Sequence, residues 1–326
     1  MIRSLYREPD GELRSDLAPH EFRAALQSEG SVLWVALADE PADRCEPILR
    51  EIFAFQSLAI ADALHQSHIP KVDDWEHYLY IVLHAVSFAP SDGPGLEAGQ
   101  VSIDTLELDL FTGPQYLVTY RSRAIPAVGR LWTACQRDER HLRKGVAHLL
   151  YELTDELVDD YMQVVEQIDD AIDEIEERVF SDPHPGLLGR ITSMKRAVVH
   201  LRRIIAPQRE VLNRLARMDY AVIDAKDRVF FRDVHDHLVR LYEVIESQRE
   251  LIGNSMEAHL SVVNTRMNQI VKTLTIVTAF FMPLSFITGF FGMNFFQAVA
   301  PLGAWTGTTA FLLTLIALVL MPGGMY

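Results

Sequence analysis

Thr273-Leu274-Thr275-Ile276-Val277-Thr278-Ala279-Phe280-Phe281-Met282-Pro283-Leu284-Ser285-Phe286-Ile287-Thr288-Gly289-Phe290-Phe291-Gly292-Met293-Asn294 opens a run without Asp, Glu, Lys, Arg or His that lasts to Tyr326. A small soluble domain needs charged residues on its outer face, and 54 consecutive uncharged residues cannot supply one. The run is long enough to cross a hydrocarbon layer of ~30 Å twice. It predicts two membrane helices, over 273–293 and 305–321, within a membrane domain over 273–326.

The charges lie in the first 272 residues, and the formal net charge is −15. An acidic body excludes nucleic acid as a partner, because phosphate binding needs a basic surface; it suits the attraction of cations. Cys45 and Cys135 are too few for a disulfide framework and read as reduced core thiols. The N-terminus has no apolar core of a signal peptide. Arg266 and Lys272 precede the first span, while Phe295 to Ala304 carries no basic residue. The positive-inside rule thus predicts a multi-pass protein of the cell (inner) membrane, with the large N-terminal part and both termini cytoplasmic.

Upstream of the spans, residues 227–272 show no Pro or paired Gly and read as a stalk helix running into the first span. A rod of that length needs partners along it, which predicts a homo-oligomer. Residues 145–226 read as an antiparallel helical pair. Glu152 to Glu177 holds twelve carboxylates and no Lys or Arg, and Leu157, Tyr161, Val164, Val165, Ile168, Ile172, Ile175 and Val179 recur at helical intervals. Ser181-Asp182-Pro183-His184-Pro185-Gly186 breaks it, and the next stretch is basic. An ion-pair network between the two is expected.

Residues 1–144 read as mixed α/β. Val32 to Leu37 and Tyr78 to Leu83 are strand-type runs, and Glu46 to Leu64 has helical spacing. Ile103 to Phe111 alternates and turns at Gly113-Pro114 into Tyr116 to Tyr120, a hairpin. Ser91 to Gly95 reads as a loop. The fold class is an α+β cytoplasmic domain, a long stalk helix and two transmembrane helices.

One face of the stalk and first span carries Asn268, Val271, Thr275, Thr278, Met282, Ser285, Gly289 and Gly292, spaced alternately by three and four. That is the seam of a parallel helical bundle. Small residues at such a seam fit close helix packing. They equally fit a pore lining, with hydroxyls and amides facing water and Met282 and Leu274 forming an apolar constriction.

Gly292-Met293-Asn294 after a first span, with a second close behind, resembles the CorA family of divalent-cation transporters. The match extends through Asn268, Lys272-Thr273-Leu274-Thr275, Phe281 to Ile287, Gly289 and Phe295. Phe231-Arg232-Asp233-Val234-His235-Asp236-His237, Ile69-Pro70-Lys71 and Asp155 to Tyr161 are also similar to the family. The resemblance implies a homopentameric funnel whose first spans line the pore. Gly292, Met293 and Asn294 would form the selectivity filter, with Asn268, Leu274, Met282 and Ser285 lining the pore below it. It implies Mg²⁺ as substrate and as regulatory ligand, with Co²⁺ and Ni²⁺ secondary, and no cofactor. Asp233 and Glu257 match two regulatory carboxylates. Ala89 stands where a third acid is expected, with Asp92 the nearest. The acidic outer loop and basic tail of the family are absent from this sequence, and the expectation is that the natural chain continues beyond Tyr326.

Two other functions compete. One is a zinc transporter of the same superfamily, proton-coupled or working by efflux. The other is a membrane-anchored sensor or scaffold, for which the polar seam has no use. An enzyme is excluded: His235 and His237 fall on different sides of a helix, and no phosphate loop or nucleophile–base motif occurs.

Overall fold

The computed structural model describes residues 1–65, 69–90, 101–182, 185–292 and 316. The chain divides into two compact units, Met1–Glu257 and Ala258–Tyr326.

In the first unit, β1 (Ile2–Arg7), β2 (Leu13–Ser15), β3 (Val32–Ala38), β4 (Lys71–Asp74), β5 (Leu79–Pro90), β6 (Val101–Thr112) and β7 (Tyr116–Arg121) form one seven-stranded sheet in the order β2-β1-β3-β7-β6-β5-β4. β3 and β7 are parallel, with Trp34 opposite Leu117; the other pairs are antiparallel. The alternation in 103–111 produces the expected hairpin, Thr112 opposite Leu117. Pro90 faces Val101 across β5 and β6; the predicted loop at Ser91 to Gly95 lies outside the described residues.

Short helices α1 (Phe22–Leu26), α2 (Ala42–Pro47) and α3 (Ser57–His65) accompany the strands. The expected single helix over Glu46 to Leu64 is not formed. α2 runs into a wider turn at Ile48–Ile52, and the chain breaks before α3, with Ala54 at φ +55°. Packing explains the break. Phe53 and Phe55 stack at 5.4 Å, and both join a buried aromatic cluster in which Phe55 lies 4.3 Å from Phe111 and 4.7 Å from Tyr78. Residues two apart face opposite sides of a helix, so burying both rings together excludes helical backbone there. Cys45 and Cys135 are free, buried thiols, and burial pushes them up to about 11 and about 12.

The helices α4 (Pro126–Arg137), α5 (Arg140–Arg143), α6 (Val146–Ser181), α7 (Pro185–Arg217) and α8 (Arg228–Gly292) follow. All eight apolar positions read along α6 are buried. Among the described residues the only ion pair between α6 and α7 is Glu174 with Arg190, at 2.7 Å. The expected network is thus reduced to one bridge, because the apolar stripes fill the seam and turn most charges outward. Arg130 of α4 instead holds Glu156 and Asp160 at 2.6 Å each, and Arg202 pairs with Glu246 of α8.

Buried polar groups lock the unit. The Tyr161 hydroxyl donates to the His84 carbonyl at 3.0 Å, and Gln208 accepts from the His84 amide at 2.8 Å. These bonds tie β5 to α6 and α7. Gln248 donates to the Val165 carbonyl at 3.0 Å and ties α8 to α6.

Candidate functional site

The sequence places the site on α8, a 65-residue helix about 98 Å long at ~1.5 Å per residue. Its portion to Glu257 is amphipathic. Phe231, Val234, Leu238, Leu241, Ile245, Gln248, Ile252 and Ser255 are all buried.

The portion from Ala258 is different. Asn268, Val271, Leu274, Thr275, Thr278, Met282, Ser285 and Gly289 are all exposed on the single chain. So are most of the large apolar residues around them, Met282 at 72 % and Phe286 at 71 %. α8 is the one helix among the described residues long and apolar enough to cross a membrane, and its most apolar window, of mean hydropathy 1.8, is unburied.

The chemistry of this segment follows from its hydroxyls. Thr275 donates to the Val271 carbonyl and Thr278 to the Leu274 carbonyl, each at 2.8 Å. With their protons directed into the helix, the two oxygens can turn only lone pairs outward, which suits a cation or the oxygen-bound hydrogens of its water shell. Pro283 lies inside the helix and has no N–H for the Ala279 carbonyl. The segment therefore offers oxygen acceptors without a formal charge.

Gly292 is the last residue of α8, while Met293, Asn294 and the expected second span, apart from Ile316, lie outside the described residues. Asp233 and Glu257 are both exposed on α8, 24 residues and so about 36 Å apart along it; one chain does not bring them together. Ala89 lies in β5 opposite Ser102, and Asp92 is outside the described residues.

Asp233 does have carboxylate neighbours that the sequence reading missed. Burial pushes the Asp155 carboxyl of α6 up; Asp159 adds to this, His237 opposes it and Asp233 adds again. An acidic patch thus spans α6 and the start of α8. Asp155 and Asp159 are four apart on α6, but their nearness to Asp233 depends on how the two helices pack. A separate acid trio, Glu8, Asp10 and Glu12, brings ligand atoms within 4.8 Å of one another at the β1–β2 turn. There the Asp10 carboxylate accepts from the Glu12 amide and Arg14 reaches Glu8, the bonding of an ordinary turn.

Over residues 29–326 the chain matches the family of CorA-like Mg²⁺ transporter proteins. It is 34% identical over 250 residues to the cobalt/magnesium transport protein CorA of Thermotoga maritima, covering 75% of this chain and 68% of that protein. The zinc transport protein ZntB of Photorhabdus laumondii is 25% identical over 185 residues, 57% of this chain and 56% of that one. The solved structure of the complete CorA magnesium transporter of Methanocaldococcus jannaschii has a TM-score of 0.78 at 21% identity, over 98% of this chain and 94% of that chain, a likeness of fold. Together, the unburied, uncharged end of α8, the α+β body and a family match across nine-tenths of the sequence show that this chain belongs to the CorA-like family of divalent-cation transporters, whose members are not enzymes.

Proposed function

We propose that the chain is one subunit of a homopentameric channel in the cell membrane that admits Mg²⁺, with Co²⁺ and Ni²⁺ as secondary ions. The observation that supports it is the end of α8 from Thr273 to Gly292, which has no charged side chain, is mostly apolar and carries Thr275, Thr278, Ser285 and Gly289 along one face. Mg²⁺ gives up its water reluctantly. A ring of neutral oxygens can hold the hydrated ion through its waters without trapping it, as a carboxylate ring would. Asn294, with Gly292 and Met293, forms the outer filter in this reading. Asn268, Val271, Thr275, Thr278, Ser285 and Gly289 line the path below, and Leu274 and Met282 narrow it. Inward movement of two charges gains about 4.6 kcal/mol per 100 mV, twice the ~2.3 kcal/mol for one, so no nucleotide is needed.

The reading also assigns gating to cytoplasmic Mg²⁺ held between neighbouring subunits, with Asp233 and Glu257 among its ligands. Their exposure on the single chain is compatible with ligands shared across subunits.

Flux into liposomes under an inside-negative potential tests the proposal. Potential-driven Mg²⁺ influx that Asn294→Ala abolishes is expected. Influx untouched by that substitution would remove the filter assignment, and no Mg²⁺ influx at all would remove the channel reading. A second reading, zinc transport, draws on the similarity to a zinc transport protein. It predicts Zn²⁺ flux that follows a proton gradient and little Mg²⁺ flux. A sensor or scaffold would pass neither ion.

A further inference from the structure

At the corner between α5 and α6 the backbone turns at Gly145, whose φ of +95° a side chain would strain. The turn lays His141 of α5 against the first turns of α6. There His141 Nδ1 lies 2.8 Å from Glu152 Oε2, and His148 Nε2 lies 3.0 Å from Glu152 Oε1. Two imidazoles from different helices thus converge on the two oxygens of one carboxylate. They open on a cavity of about 380 Å³ that Tyr151, Asp155 and Phe230 also line.

A third contact makes the cluster unusual. Lys144 Nζ lies 3.0 Å from the same His148 Nε2. An imidazole nitrogen either carries a proton or bears a lone pair. Protonated, Nε2 donates to Glu152 and confronts the Lys144 ammonium. Bare, it accepts from Lys144 and confronts the carboxylate. A metal cation removes the conflict, because it takes electron pairs from the nitrogen and from the carboxylate together. The ammonium competes for the nitrogen but, among the described residues, forms no ion pair with Glu152, so it meets only half of what such a cation would.

We propose that His141, His148 and Glu152 form a binding site for a borderline divalent ion of the Zn²⁺, Co²⁺ or Ni²⁺ type, away from the α8 seam, with Lys144 competing for the His148 nitrogen in its absence. Two imidazoles and a carboxylate are the donor set of such ions, whereas Mg²⁺ prefers oxygen alone. Asp155, whose carboxyl burial pushes up, lines the same cavity and offers a further oxygen. Glu152 now separates the two rings. Ligand distances of ~2.0–2.2 Å require both rings to close inward as Lys144 withdraws. The His148 ring lies 5.2 Å from Phe230, and Tyr151 lies 5.0 Å from it, in the first turn of α8. Closure therefore acts on the start of the long helix.

Co²⁺ is the probe, added to the purified full-length protein in excess Mg²⁺ and followed by visible absorption. Four- or five-coordinate Co²⁺ with nitrogen ligands absorbs strongly, while the hydrated ion of an aqueous pore absorbs weakly. Intense bands that saturate at a single ion per chain are expected. His141→Ala and His148→Gln should each abolish them, and Lys144→Ala should tighten binding by about tenfold, as loss of a competing cation worth ~1.4 kcal/mol would. The gain in Lys144→Ala cannot come from misfolding, which keeps the test sound if the buried His148 tolerates no change. Absent bands in the wild type, bands that survive both histidine changes, or weaker or unchanged binding in Lys144→Ala would each overturn the proposal. Binding alone is measured, so the result is independent of whether Mg²⁺ is transported.

Discussion

The two parts of α8 follow the same spacing rule and face different surroundings. Before Glu257 the three-and-four pattern begins at Phe231 and Val234, and those positions are buried inside the first unit. In the second part the pattern begins at Asn268 and Val271, two residues out of phase with the first, and its positions are open on the single chain. The later seam is therefore not a continuation of the earlier packing stripe. The same periodicity thus accompanies a buried face in one part and an open face in the other. What differs is whether the chain itself covers the face or leaves it open.

The sharpest way to break that contrast is a pair of truncations. Phe231→Ala should cost about 3–5 kcal/mol of stability in the soluble body, as deletion of a fully buried ring does. Met282→Ala, on an exposed side chain, should leave the melting temperature nearly unchanged and alter ion flux instead. Equal losses of stability in the two variants would mean that the parts are not different in kind. Gln248→Leu comes next. It removes the Gln248 bonds to the Val165 carbonyl, which keeps its own helical bond, and to Asp169, and should cost about 0.5–1.5 kcal/mol in chemical denaturation.

A smaller effect depends on pH. Asp109 is buried, and burial pushes its carboxyl well above the usual range, while the Tyr80 hydroxyl, donating at 2.7 Å, pulls the other way. A carboxyl with a raised folded pKa keeps its proton in the folded state at pH values where the unfolded chain has lost it. Its contribution is thus most favourable below the unfolded value and declines as pH rises above it, by at most ~1.4 kcal/mol per unit. Asp109→Asn should flatten the decline as pH rises above about 4. An unchanged slope would assign the dependence to other groups. The smallest expected change is Glu174→Gln, which removes the exposed bridges to Arg178 and Arg190 and should cost roughly 0.2–1 kcal/mol, less in high salt.

Much of the body was legible where a local pattern and the tertiary environment agree. The alternation of 103–111 with its Gly113-Pro114 turn specified a hairpin, and the eight apolar positions of α6 specified a buried stripe. Legibility failed where distant residues decide. Nothing within Glu46 to Leu64 reveals that Phe53 must reach Tyr116 while Phe55 reaches Phe111 and Tyr78. Ile2–Arg7 became an inner strand although its sequence alternates poorly, because β3 offers it a complete set of partners. For the site, spacing identified the α8 seam but could not say where burial stops. The acid patch around Asp155 and Asp233, and the convergence of His141 and His148 on Glu152, join residues of separate helices. Only the i,i+4 spacing of His148 and Glu152 was visible in advance.

The uncharged stretch that opened the reading has a further consequence for how energy can be coupled to transport. A proton carried across a membrane on the protein needs side chains that gain and lose it near neutral pH. Between Thr273 and Asn294 there is no carboxyl, imidazole, amine or thiol. That segment cannot act as a proton relay. Any pH dependence of ion movement along it has to originate outside that segment or in the ion's own hydration chemistry, so a pH profile measured separately on each face of a vesicle would locate its source.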